Sequence, residues 1–145
     1  MDMATRAFWS TTLRGSASKC GDCPEAVLIP HGIATDGRVI YVADRGNARV
    51  QRFDLDGHYL GEWTHLGRPF ALKLSGGALW VSLMTLEPAG ASPWVIKVDP
   101  ASGKALGQIA FPGPHSIDVN AAGELFAGGC CGGSNPMGAF LLRAH

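Results

Sequence analysis

Apolar residues in this chain come in short runs, broken every few positions by glycine, proline or aspartate. The runs 39–43, 78–83 and 94–98 are rich in β-branched and aromatic side chains, which suit a pleated, half-buried surface. Residues 49–53 alternate polar and apolar, the period of a strand with one buried face. No segment sustains a 3.6-residue apolar period, so the pattern predicts an essentially all-β chain. The expected strands are 32–35, 39–43, 49–53 and 59–63, then 70–74, 78–83, 94–98 and 105–110, then 115–119, 124–127 and 139–143. Turn chemistry separates them at Asp36-Gly37, Asp44-Arg45-Gly46-Asn47, Asp56-Gly57, Ser75-Gly76-Gly77 and Asp99-Pro100-Ala101-Ser102-Gly103. Two longer loops are expected, at 85–93 and in the glycine- and cysteine-rich run 128–136. Residues 1–29 are the least readable and hold either one strand near 6–13 or a loose segment.

The strands fall into repeating units. Pro30-His31-Gly32-Ile33-Ala34, Pro69-Phe70-Ala71-Leu72-Lys73 and Pro114-His115-Ser116-Ile117-Asp118 each open one. Their spacing is roughly 40 to 45 residues, the size of one four-stranded propeller blade. The units run approximately 30–68, 69–113 and 114–145, and the third lacks its fourth strand. The architecture expected is a partial β-propeller of about three blades.

Composition narrows the partners. The chain has 145 residues, with Lys plus Arg balancing Asp plus Glu at 12 each. Zero net charge and no basic stripe argue against nucleic acid or a membrane surface as partner. No apolar run approaches the roughly 20 residues that span a bilayer. The first residues lack the apolar stretch of a secretory signal, so a soluble protein without export is expected, its compartment unassigned. Cys20-Gly21-Asp22-Cys23 has the spacing of half a zinc knuckle, but the other pair, Cys130-Cys131, is adjacent. Neighbouring thiolates seldom ligate one metal together, so the four read as free thiols, or as disulfides if the protein is exported.

The stretch 30–53 reads P-H-G-I-A, then I-Y-V-A-D-R-G-N-A-R-V-Q-R-F-D, and resembles the NHL repeat. The Pro-His heads of two alternate units, with Val42-Ala43-Asp44-Arg45 after the first, narrow the resemblance to peptidyl-α-hydroxyglycine α-amidating lyase and its bacterial relatives. Asp56–Trp63 and Gly67–Leu72 are similar to those relatives too. That family implies a six-bladed ring with zinc on its axis, held by histidines that follow a proline at alternate blade heads. On this resemblance His31 and His115 are two of three zinc ligands, and Arg45 lines the active site. The likeness covers 28–145 and implies the C-terminal half of such a ring. The half not represented would carry the third histidine, another arginine and the catalytic tyrosine, which Tyr41 and Tyr59 do not match. Ser116 stands where the lyase has an aspartate that helps to bind a structural calcium, so the resemblance departs from the family at that site.

The chemistry behind this expectation is geometric. Inner strands of a propeller end near its axis, and three neutral imidazoles brought there leave one zinc position open for substrate. A cation such as Arg45 would orient a substrate carboxylate. Each residue also has a structural alternative. The histidines can hydrogen-bond a neighbouring blade, and Asp44, Asn47 and Arg49 can order the turn and brace the blade. Asp54-Leu55-Asp56-Gly57 reads as a hairpin turn, not a calcium loop. Trp63, Trp80 and Trp94 are expected between blades, His58 and His65 in solvent, and His145 frayed. An incomplete ring exposes faces and edges, so a homodimer completing it is one expectation. The other is a non-catalytic scaffold that takes a peptide or small molecule on its loops.

Overall fold

The computed structural model describes residues 27–83, 94–110, 114–129 and 139–142. Every regular element among them is a strand. The first antiparallel sheet is β1 (Pro30–Thr35), β2 (Val39–Asp44), β3 (Arg49–Asp54) and β4 (Tyr59–Trp63). The second is β5 (Pro69–Ser75), β6 (Ala78–Leu83), β7 (Trp94–Val98) and β8 (Ala105–Ala110), also in sequence order. The third contains β9 (Pro114–Val119), β10 (Leu125–Gly129) and β11 (Ala139–Leu142). Inner strands pack on inner strands, β1 on β5 and β5 on β9. Radial meanders stacked along their first strands are consecutive blades of a β-propeller.

Local chemistry explains the strand limits. Each inner strand opens on a proline, which lacks a backbone N–H and is tolerated at the first residue of a strand. The hairpins turn on short acceptors. Asp36 Oδ1 accepts from the Arg38 and Val39 amides at 2.8 and 2.7 Å. Asn120 Oδ1 does the same for Ala122 and Glu124 at 3.0 and 2.9 Å. Such side chains copy the backbone of a turn and stop the strand there.

Two expectations need correction. Gly128 and Gly129 are not loop: they extend β10, opposite Ser116 and Pro114, because a paired inner strand holds glycine extended. The alternation in β3 does not mark a solvated face, since Arg49 and Gln51 are buried along with Val50 and Phe53. The expected strand at 6–13, the 85–93 loop and Cys130–Pro136 lie outside the described residues.

Two apolar layers hold the blades together. Tyr41, Ala43, Val50 and Trp63 of blade one meet Leu66, Leu72, Leu79, Val81, Leu83, Ile96 and Val98. Trp80 and Val95 of blade two meet Val119, Leu125 and Ala127 of blade three. Trp63 and Trp80 therefore do pack between blades. Trp63 lies against the turn at Gly103 (φ +76°), where an added Cβ would fall 2.5 Å from the indole nitrogen.

Candidate functional site

The residue after each head proline is His31 in β1, Phe70 in β5 and His115 in β9. Equivalent positions in successive blades converge on the axis, and these three rings meet. The His31 and His115 centroids lie 4.7 Å apart, edge to face. Phe70 sits 4.6 Å from His31 and 5.5 Å from His115. Arg45, in the turn between β2 and β3, places its guanidinium 4.4 Å over the Phe70 ring. The three residues singled out in sequence, far apart along the chain, thus share one cluster. Phe70 joins them, and the signal for it was its place after Pro69 at a blade head.

Backbone contacts set the imidazoles. His31 Nδ1 donates to the Phe70 carbonyl at 3.1 Å, since a carbonyl oxygen only accepts. A neutral His31 therefore keeps the Nε2 lone pair free. Gly32 makes this approach feasible, because a Cβ there would lie 2.6 Å from the same carbonyl oxygen. Burial, then the charges of His31 and Arg45, hold the His115 pKa below the ordinary histidine value. His115 is accordingly neutral near pH 7, the form in which an imidazole donates its lone pair.

The turn that carries Arg45 is fixed by its neighbours. Asp44, fully buried, accepts from Arg49 Nε at 2.7 Å, Asn47 Nδ2 at 2.9 Å and the Leu28 amide at 2.8 Å. Arg49 also reaches Glu62 at 2.9 Å. Asp44, Asn47 and Arg49 brace the blade, while Arg45 extends over Phe70.

Other candidates lie elsewhere. His58 is exposed and pairs with Asp54 at 2.9 Å. His65 is exposed but bonds the Gly103 carbonyl at 2.9 Å, so it also ties blade one to blade two. Asp54, Asp56 and His58 bring ligand atoms within 4.8 Å of one another. The Asp54 carboxylate there already accepts from the Asp56 and His58 amides, as a hairpin turn requires. Among the described residues no third histidine, cysteine or carboxylate joins the axial pair. Cys20, Cys23, Cys130, Cys131 and His145 lie outside the described residues, as does the side chain of Trp94.

Comparison with known proteins agrees with blade one. The NHL repeat family matches residues 28–53. Human NHL repeat-containing protein 3 is 50% identical over 48 residues, which are 31% of this chain and 14% of that protein. Virginiamycin B lyase from Staphylococcus aureus has a TM-score of 0.49 and 18% identity, over 68% of this chain and 33% of that one. BamB from Moraxella catarrhalis has a TM-score of 0.48 and 19% identity, over 68% of this chain and 30% of that one. At that level the two structures add nothing to what the sheet order shows. The chain spans about a third of these solved structures. Its described residues form all-β propeller blades, the first of which contains an NHL repeat.

Proposed function

We propose that the axial cluster is half of a zinc site of amidating-lyase type, completed by further blades. The observation that carries this reading is the meeting of His31 and His115 from blades one and three. Both side chains are nitrogen donors of the kind zinc takes. His31 has its Nδ1–H held by a backbone carbonyl, the support a metal-ligating histidine ordinarily has. Its Nε2 and a nitrogen of His115 would be the ligands. Zinc, when bound, would polarise a substrate oxygen. Arg45 would pair with a substrate carboxylate, and Phe70 would supply an apolar wall beside it. For a peptidyl-α-hydroxyglycine, the hydroxyl loses its proton, the C–N bond breaks, and the nitrogen takes up a proton. The products are a peptide amide and glyoxylate.

A second reading keeps the same cluster without metal. The imidazoles already have partners, His31 in the Phe70 carbonyl and both rings in Phe70. On that reading the chain is a non-catalytic NHL module that takes a peptide or small molecule at this end.

Zinc titration by calorimetry separates the two, with the four cysteines alkylated beforehand. The lyase-type reading predicts zinc binding that either His31→Ala or His115→Ala weakens at least tenfold. Arg45→Ala should leave zinc binding intact and abolish binding of glyoxylate. Zinc binding that ignores both histidine substitutions would leave the binding module.

A further inference from the structure

Each axial residue sits on a break in strand register. Pro30 pairs with Asp44 and Gly32 with Ala43, so His31 is the extra residue of a bulge. Pro114 pairs with Gly129 and Ser116 with Gly128, so His115 is another. In blade two Pro69 pairs with Leu83 and Leu72 with Val81, which sets Phe70 and Ala71 against Ser82 alone. A bulge re-aims a side chain and interrupts the ladder of backbone hydrogen bonds. Blade two answers that interruption with a side chain: Ser82, fully buried in β6, accepts from the Ala71 amide through its Oγ at 2.8 Å. Ala43 and Gly128, beside the bulges of blades one and three, have no hydroxyl to offer.

We infer that Ser82 is a positioning residue for His31, acting through the Phe70–Ala71 peptide. The Ala71 N–H and the Phe70 C=O belong to one planar peptide unit, in which they point in opposite directions. Ser82 holds the N–H side, and His31 Nδ1 donates to the carbonyl side at 3.1 Å. Fixing the amide therefore fixes the carbonyl. A peptide that donates at one end is also a stronger acceptor at the other. Because the carbonyl only accepts, the bond selects the His31 tautomer with its proton on Nδ1 and leaves Nε2 unprotonated. Hydroxyl, peptide and imidazole thus run from a buried strand of blade two to the head of blade one. The use of this chain of contacts in catalysis rests on the zinc reading, in which Nε2 is the ligand. The orientation itself is a property of the metal-free protein, so either can fail without the other.

Long-range ¹H–¹⁵N correlation of the histidine rings tests it, without metal and at about pH 8, above the ordinary histidine pKa. The wild type should show His31 in the Nδ1–H form. In Ser82→Ala the Nε2–H share of His31 should rise about threefold or more, the scale on which one hydrogen bond moves an equilibrium. Ser82→Thr, which keeps the hydroxyl, should restore the wild-type pattern. His58 and His65, away from the axis, should not respond. A merely structural serine would cost stability and leave the tautomer alone, so a folded Ser82→Ala with the wild-type His31 tautomer overturns the proposal. So does a change that Ser82→Thr fails to reverse, or one shared by all the histidines. Should Ser82→Ala not fold, the wild type decides: the Nδ1–H form of His31 together with a slowly exchanging Ala71 amide supports the assignment. The Nε2–H form, or an Ala71 amide that exchanges freely, overturns it.

Discussion

The contact between blades one and two and the contact between blades two and three follow one plan but are filled differently. In the first, Tyr41 and Trp63 are enclosed by aliphatic side chains of blade two. Several polar ends are tied off there: Tyr41 Oη donates to the Pro100 carbonyl at 3.3 Å, and His65 bonds Gly103, although Arg52 Nε, beside the Trp63 ring, is buried without a partner among the described residues. In the second, Trp80 takes the place of Tyr41, but its indole N–H is buried without a partner. A groove of about 430 Å³ opens beside it, lined by Leu106, Gln108 and Ile109 of β8 and by Val119. The ion pair across this contact, Lys73 to Asp118 at 2.7 Å, is solvent-exposed, and such pairs contribute at most about 1 kcal/mol. The same strand plan thus gives a tighter joint between blades one and two, and a looser one between blades two and three, where the groove opens beside Trp80.

The largest predicted contrast is between the two tryptophans. Trp63→Ala should cost about 3–5 kcal/mol, the usual range for emptying a packed aromatic site. Trp80→Ala should cost less, because the groove lets neighbours and water relax into the space. Urea midpoints measure both, and a Trp80 loss equal to or above that of Trp63 would break the comparison.

Next comes the polar brace that blade one has and blade two lacks. Asp44 is opposite Pro30, and its equivalent opposite Pro69 is Leu83. Asp44→Asn removes the buried one of Arg49's two carboxylate partners and leaves the half-buried Glu62, so the loss should fall at or below the low end of the about 3–5 kcal/mol that attends a fully broken buried pair. Leu83→Asn should cost less, since no charge is stranded. Equal losses would mean that the buried ion pair adds nothing particular to blade one.

A smaller effect tests the orphan donor. Trp80→Phe removes the unpartnered N–H, whose burial costs about 1–3 kcal/mol, and also removes ring atoms. The two should nearly cancel, leaving stability within about 1 kcal/mol of wild type. A large loss would show that the N–H has a partner in solution.

The smallest effect is a pH dependence confined to the turn of blade one. Backbone donors from Val39 first, and Arg38, hold the Asp36 carboxyl below its ordinary 3.8. A depressed folded pKa gives stability that is full above about pH 4 and fades as pH falls through the folded value. Asp36→Asn keeps an oxygen acceptor but cannot titrate. The gap between wild type and variant should therefore shrink from pH 5 to pH 3. A gap that widens has the wrong sign for this account.

Much of this was legible in the sequence because propeller strands are short and their punctuation is explicit. Prolines at 30, 69 and 114, and the aspartate and glycine turns, mark the blades within a residue or two. The Pro-His heads pointed to a shared axis, and His31, His115 and Arg45 do share one cluster. What escaped the sequence depends on pairing. Gly128 and Gly129 look like loop until β9 is seen opposite them. Arg49 and Gln51 look like a wet face until burial on both sides is seen. Phe70 reads as one more strand residue, and only the convergence of inner strands puts it between two imidazoles.

The central claim is that blades one and three bring His31 and His115 into contact at the axis. A ¹³C-edited NOESY spectrum with assigned histidine rings tests it directly. Rings 4.7 Å apart edge to face should give a cross-peak between His31 and His115, and both should show cross-peaks to Phe70. That pattern should vanish in Gly32→Val, where β1 cannot approach β5. Two histidines with sharp, unconnected resonances in the folded wild type would contradict the account.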